Sequence, residues 1–212
     1  MKKLSILILF LILGLNSIAQ TEDSVIRKSK LIYQFAIQEE IAPPVWHRTQ
    51  KAFEEAKAIH ADFILIHMNT YGGQVDIADS IRTKILNSDI PVYVLIDNNA
   101  ASAGALISIA CDSIYMVAGA NIGAATVVNQ TGEAMPDKYQ SYMRSMMRST
   151  AEAKGRNPQI AQAMVDPRIL VAGVIDSTMV LTFTPSEAIA NGFCEAKVKS
   201  VSDIFDRIQI KD

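Results

Sequence analysis

Between residues 63 and 126 the chain repeats one device: an apolar run, a turn of small or polar residues, then a helix-like segment. Phe63 to Met68 leads into Asn69-Thr70-Tyr71-Gly72-Gly73, and Val75, Ile77, Ala78, Ile81 and Ile85 then recur at helical spacing across 74–87. Pro91 to Ile96 leads into the polar turn Asp97-Asn98-Asn99, after which Ala100-Ala101-Ser102-Ala103-Gly104 opens a helix over 101–110. Ser113 to Val117 is a third apolar run, ending in a glycine-containing loop through Gly123. Strands alternating with helices at this spacing predict βαβ units, an α/β fold with a mainly parallel sheet and outer helices. Ligands of such sheets bind beyond the carboxyl ends of the strands, where Gly72, Gly73 and Ser102 fall.

The rest of the chain extends the pattern. Residues 31–39 predict a first strand, and Ala42-Pro43-Pro44 starts a helix to about His60 with Val45, Ala52, Phe53, Ala56 and Ile59 as its apolar stripe. A helix over 137–153 places Tyr139, Met143, Met146, Met147 and Thr150 on one face. Ser177 to Thr182 predicts a strand, Thr184-Pro185 an N-capped helix closed by Gly192, and Ser202 to Ile210 a final amphipathic helix. With no internal sequence repeat, low-complexity tract or Pro/Gly linker, residues 20–212 are expected to form one domain, a length that supports a substantial core.

The turns carry the chemistry. Adjacent glycines remove side-chain bulk, so that amide N–H groups can face a ligand. A helix start adds unpaired N–H donors and partial positive charge. Ser102, set among alanines and a glycine at such a start, offers a hydroxyl in a corner open to a substrate carbonyl. N–H groups at Gly73 and Ala103 would stabilise the oxyanion that forms there. Runs such as AASAGA also serve simply to pack a helix on a sheet; the pairing with Gly72-Gly73 favours the catalytic reading.

The segments NTYGG, AASAGA and ANIGAAT resemble those of the ClpP-like serine peptidases, most closely the membrane-associated NfeD type, with the signal peptide peptidase A family next. The likeness spans residues 29–205 and implies the ClpP/crotonase-like fold of repeated ββα and βαβ units. It also implies a substrate-binding surface at Tyr71, Gly72 and Gly123. One departure is Tyr71, where the family usually has the proline that presets the turn. The run LTFTPSEAIANGFCE resembles the closing segment of the superfamily, which completes the fold without contributing a catalytic group.

A serine needs a base. A ClpP-type histidine would fall in or near TVVNQT, and none is there; the three histidines are His47, His60 and His67. His67, at the end of its strand, is nearest the predicted site. Lysine can serve where its neutral amine is favoured by desolvation, and a helix N-terminus acts in the same sense. In the NfeD type the base is a lysine downstream of the serine at a helix start, which the resemblance carries onto Lys138 in Met135-Pro136-Asp137-Lys138-Tyr139. Lys154, beside Gly155 at a helix end, reads as a surface or capping residue.

Met1-Lys2-Lys3, the run LSILILFLILGL and Asn16-Ser17-Ile18-Ala19 have the parts of a secretory signal, with residues 1–19 removed and the domain exported to the periplasmic or extracytoplasmic side of the membrane. Basic residues are scattered and the pI is about 5.9, which excludes a nucleic-acid partner. Cys111 and Cys194 read as unpaired thiols, with a disulfide left open by the compartment.

Together these features predict a serine endopeptidase with a Ser102–Lys138 dyad that needs no metal or cofactor. The resemblance implies membrane-protein substrates cut in apolar segments, stomatin-like proteins in particular, with self-association into dimers or larger assemblies; the domain is expected either as a stand-alone short form or with a membrane half on a separate chain. Two other readings stay open: an inactive scaffold or binding module on the same fold, and a crotonase-type acyl-thioester enzyme, which would want a positioned carboxylate.

Overall fold

The computed structural model describes residues 30–175 and 179–209; the predicted signal segment and Ile210 lie outside them. Its elements are β1 (Ile32–Ile37), α1 (Pro43–Ala58), β2 (Phe63–Thr70), α2 (Val75–Leu86), β3 (Val92–Ala101), α3 (Ala103–Ala110), β4 (Ser113–Val117) and β5 (Asn121–Gly123), then α4 (Asp137–Ala153), α5 (Pro158–Ala163), β6 (Thr182–Phe183), α6 (Pro185–Ala190), β7 (Ala196–Val198) and α7 (Val201–Gln209). The strands form one sheet in the order β1-β2-β3-β4-β7, with β5 paired to β3 and β6 paired to β5. Every pairing is parallel except β5 with β6. The mainly parallel α/β architecture is therefore the one that the alternating pattern predicts.

Strand alternation divides the sheet into two apolar faces. Ile64, Ile66 and Met68 of β2 and Val92, Val94 and Ile96 of β3 join the larger core cluster with residues of α1 to α6. Phe63, Leu65, Leu95 and Tyr115 point the other way and are covered by Ile204 and Ile208 of α7. Burial on both faces explains why these strands read as continuous apolar runs.

Four details differ from the sequence expectation. Asp97-Asn98-Asn99 is not a turn, because β3 continues to Ala101 and pairs with β5 through Asn99, Ala100 and Ala101. The polar residues sit at a register shift, where Met68 faces Ile96 but Thr70 faces Ala100. The strand expected from Ser177 is confined to Thr182–Phe183, with residues 176–178 outside the described set. Ile59 is 46% exposed because α1 ends at Ala58 and leaves it as the cap. On α4 the buried face holds Gln140 with Met143, Met146, Met147 and Thr150, while Tyr139 is exposed.

Candidate active site

The junction of β3 and α3 centres on Ser102. It is the residue before α3, half-buried, with φ 54° and ψ −119°. Such a backbone is strained for a residue with a Cβ and turns the chain sharply from strand to helix. Two sets of hydrogen bonds hold it. The Ser102 N–H donates to the Gly123 carbonyl at 2.9 Å, while the Ser102 carbonyl accepts from Ala105 N–H at 2.9 Å and Leu106 N–H at 3.3 Å.

The glycine turn is fastened beside it. Ile41 makes a parallel bridge to Gly73, its N–H donating to the Gly72 carbonyl and its carbonyl accepting from Gln74 N–H, both at 2.8 Å. In that geometry the N–H of Gly73 itself points away from Ile41. Among the described residues neither Gly73 N–H nor Ala103 N–H finds a backbone acceptor. Thr70, 2% exposed, secures the turn from below: its hydroxyl donates to the Glu39 carbonyl at 2.6 Å and accepts from Gly72 N–H at 3.1 Å. A Cβ on Gly72 would stand 2.6 Å from the Ser102 Cβ, so only glycine lets the turn approach the serine this closely.

A cleft of about 660 Å³ opens over this corner. Ser102, Ala103, Gly73 and Tyr71 all line it, together with the segment 124–130, Met143 and Val180. Tyr71 is 81% exposed at its rim. Gly72 is buried and Gly123 stands behind Ser102, where a Cβ would meet the Leu181 carbonyl at 2.4 Å. The wall formed by 124–126 is tied to the turn that ends α5: Ala125 N–H donates to the Met164 carbonyl at 2.6 Å and the Thr126 hydroxyl to the Val165 carbonyl at 2.9 Å.

Lys138 occupies the first turn of α4, exposed to solvent, with its Nζ 4.9 Å from the centroid of the Tyr139 ring. It is not among the residues lining the cleft. The adjacent Asp137 carboxylate faces elsewhere: it accepts from Arg168 Nη2 at 2.7 Å and pairs with Arg144 Nη1 at 3.5 Å. The Arg168 hydrogen bond, more than Arg144, holds the Asp137 carboxyl below the usual carboxylate range. Both arginines also engage the buried Asp166, giving a network of two acids and two bases at the start of α4. Sequence reading missed this network, although Asp137 and Arg144 are seven residues apart and so share one face of α4.

None of the three histidines lines the cleft. His47 is exposed on α1, and His60 follows that helix at φ 53°. His67, half-buried in β2, has Nε2 3.6 Å from Asp97 Oδ2. Lys154 pairs with Asp112 at 2.7 Å. Both cysteines are free and buried.

No described helix is long and apolar enough to cross a membrane. The membrane protein NfeD1b of Bacillus subtilis is 31% identical over 182 residues, and the membrane-bound protease PH1510 of Pyrococcus horikoshii is 27% identical over 192 residues. These alignments cover 85% and 87% of this chain but only 42% and 41% of the relatives, so the chain spans about two-fifths of their length. Two solved forms of the 1510-N membrane-bound stomatin-specific protease are similar in structure. A serine-to-alanine variant and a lysine-to-alanine variant in complex with a substrate peptide each give a TM-score of 0.73, at 25% and 26% identity. They cover 84% and 83% of this chain, and 84% and 78% of theirs. ClpP1 of Listeria monocytogenes shares the fold at TM-score 0.61 and 18% identity, over 81% of this chain and 94% of its own. The family model described as NfeD1b, N-terminal domain, matches residues 31–212, and the chain, with its ClpP-like fold, belongs to that family.

Proposed function

We propose that this domain is a serine peptidase in which Ser102 is the nucleophile and Lys138 the general base. The observation that carries the reading is the corner itself: a serine with a Cβ, in a strained strand-to-helix turn, facing a cleft beside two uncommitted backbone N–H groups. Ser102 Oγ attacks a peptide carbonyl, and the Gly73 and Ala103 N–H groups receive the developing oxyanion. Lys138 takes the hydroxyl proton and returns it to the leaving amine, and water then releases the acyl-enzyme. For this the Lys138 side chain must leave the Tyr139 ring and turn toward the cleft, a rotamer change open to an exposed lysine at the start of α4. A solved relative in which a lysine-to-alanine variant holds a substrate peptide supports assigning lysine this importance.

The apolar side chains Val75, Val128, Met143 and Val180 around the cleft suit an apolar stretch of polypeptide. By analogy with the stomatin-specific relative, the substrate is a membrane-associated protein of stomatin type; the signal-like N-terminal sequence supports cleavage on the extracytoplasmic side, and self-association and a membrane partner belong to the same proposal. Lys138 lying outside the cleft favours a second reading, a binding module that keeps the fold without turnover. Incubating the domain with apolar peptides beside Ser102→Ala and Lys138→Ala variants separates the two. Cleavage by the parent and by neither variant is expected. Undiminished cleavage by Ser102→Ala would end the peptidase assignment of this serine, and cleavage by none of the three would favour the binding module.

A further inference from the structure

We infer that Gln140 is a positioning residue for the proposed base: its buried carboxamide fastens the cleft wall at Val127 to the turn of α4 that carries Lys138. The inference rests on the Lys138 reading and deepens it. Gln140 is 9% exposed although the neighbouring Asp137, Lys138 and Tyr139 are exposed. It occupies the core stripe of α4, three and seven residues before Met143 and Met147, where an apolar side chain would ordinarily pack. A buried amide is costly unless its polar atoms are matched, and here they are. Nε2 donates to the Val127 carbonyl at 2.7 Å and to the Met135 carbonyl at 3.0 Å, while Oε1 accepts from Val127 N–H at 3.0 Å.

Those partners are the two ends of one hairpin. Met135 N–H donates to the Val127 carbonyl at 2.9 Å, and Val128 bridges Ala134. Beyond that base, residues 128–134 are exposed and bonded chiefly to one another through the Asn129 side chain, which accepts from Thr131 and Glu133 N–H at 3.0 and 2.9 Å. Val127 lines the cleft that holds Ser102, and Lys138 lies two residues before Gln140 on the helix. The carboxamide is thus a short rigid link between the cleft wall beside the nucleophile and the turn bearing the base. Without it, the hairpin is closed only by the two backbone hydrogen bonds that flank the Val128–Ala134 bridge, Met135 N–H to the Val127 carbonyl and Asn129 N–H to the Glu133 carbonyl at 2.8 Å.

The test uses the full chain and an internally quenched apolar peptide. Gln140→Met keeps the volume and removes all three hydrogen bonds; Gln140→Ala, favourable in a helix, serves if the methionine variant does not fold. Loosening the base by a fraction of an ångström should lower kcat about tenfold or more while KM stays within about twofold. Hydrogen exchange at the Val127 and Met135 amides should quicken, with the amides of β2 and β3 unchanged. Parental kcat and parental exchange at both amides would overturn the inference even with Lys138→Ala inactive. Lys138→Ala cleaving at the parental rate would instead overturn the base assignment, and with it the link to Gln140.

Discussion

Asp166 offers the most demanding test of the electrostatics at the start of α4. Its carboxylate is 5% exposed and receives Arg168 Nε at 2.9 Å, Arg168 Nη2 at 2.7 Å and the Arg168 backbone N–H at 3.0 Å, with Arg144 completing the set. Arg168, with Arg144 adding to it, brings the Asp166 carboxyl down from 3.8 to about 2. At about 1.36 kcal/mol per unit that fall corresponds to roughly 2.4 kcal/mol of stability. Arg168 is 68% exposed, so solvent screens its part, and about 1–2 kcal/mol is the expected yield. The sign is fixed by the direction. A folded-state value below the unfolded one contributes fully above about pH 4 and is lost as the pH falls through about 2. Asp166→Asn removes the charge and leaves one oxygen for two guanidinium groups. For a domain of this size it should lower Tm by about 3–6 °C at pH 7. Urea unfolding followed by circular dichroism from pH 7 to pH 2.5 gives the difference directly, and the gap between parent and variant should close below about pH 4. Equal urea midpoints at pH 7, or a gap that persists unchanged to pH 2.5, would refute the reasoning.

Gly72→Ala would place a Cβ 2.6 Å from the Ser102 Cβ and 3.0 Å from Oγ, at a φ of +117° that disfavours any side chain. A cost of at least about 2 kcal/mol in urea unfolding is expected, with loss of Ser102 labelling by a fluorophosphonate; labelling at the parental rate would contradict the packing described. Burial pushes the Cys111 thiol up to about 12 and the Cys194 thiol up to about 11. Both should resist a thiol reagent at pH 8 in the native protein and react together once it is unfolded; prompt native reaction of either would contradict its burial.

The parts legible in the sequence are those set by local periodicity. Ile64, Ile66, Val92 and Val94 announce strands because both faces of the sheet are covered, and Pro43 and Thr184 mark helix starts by their own backbone preferences. Asp97 to Asn99 look like a turn by composition, yet the strand runs on through them to pair Asn99, Ala100 and Ala101 with β5, a three-residue strand with no periodic signal of its own. The α4 stripe misleads at one position for a related reason. Hydrophobicity selects Tyr139, whereas the structure buries Gln140 because its amide meets Val127 and Met135, partners set by the path of the hairpin. The placement of Ser102 at a helix start beside the glycine turn was legible from its small neighbours and the glycine pair. The side-chain direction of Lys138 was not, since an exposed lysine answers to the Tyr139 ring and to solvent before it answers to the sequence.

The run from Ala100 to Ala105 could be explained by packing alone, and its members can now be told apart. Gly104 is a packing residue: a Cβ there would come within 2.7 Å of Thr70 Cγ2, and Thr70 in turn fixes Gly72 through its hydroxyl. Ala100, Ala103 and Ala105 are buried and small for the same purpose. Ser102 does not fit that account. Its φ of 54° costs a residue with a Cβ on the order of 1–3 kcal/mol, a cost that glycine would avoid. Helix capping does not justify the hydroxyl either, since the side chain makes no cap hydrogen bond. Three separate segments sustain the strain: the Gly123 carbonyl, the first turn of α3 and the bare Cα of Gly72. A serine where glycine would be easier, facing a cleft beside N–H groups with no backbone acceptor, is what the proposed nucleophile requires, and packing supplies no competing reason for the hydroxyl.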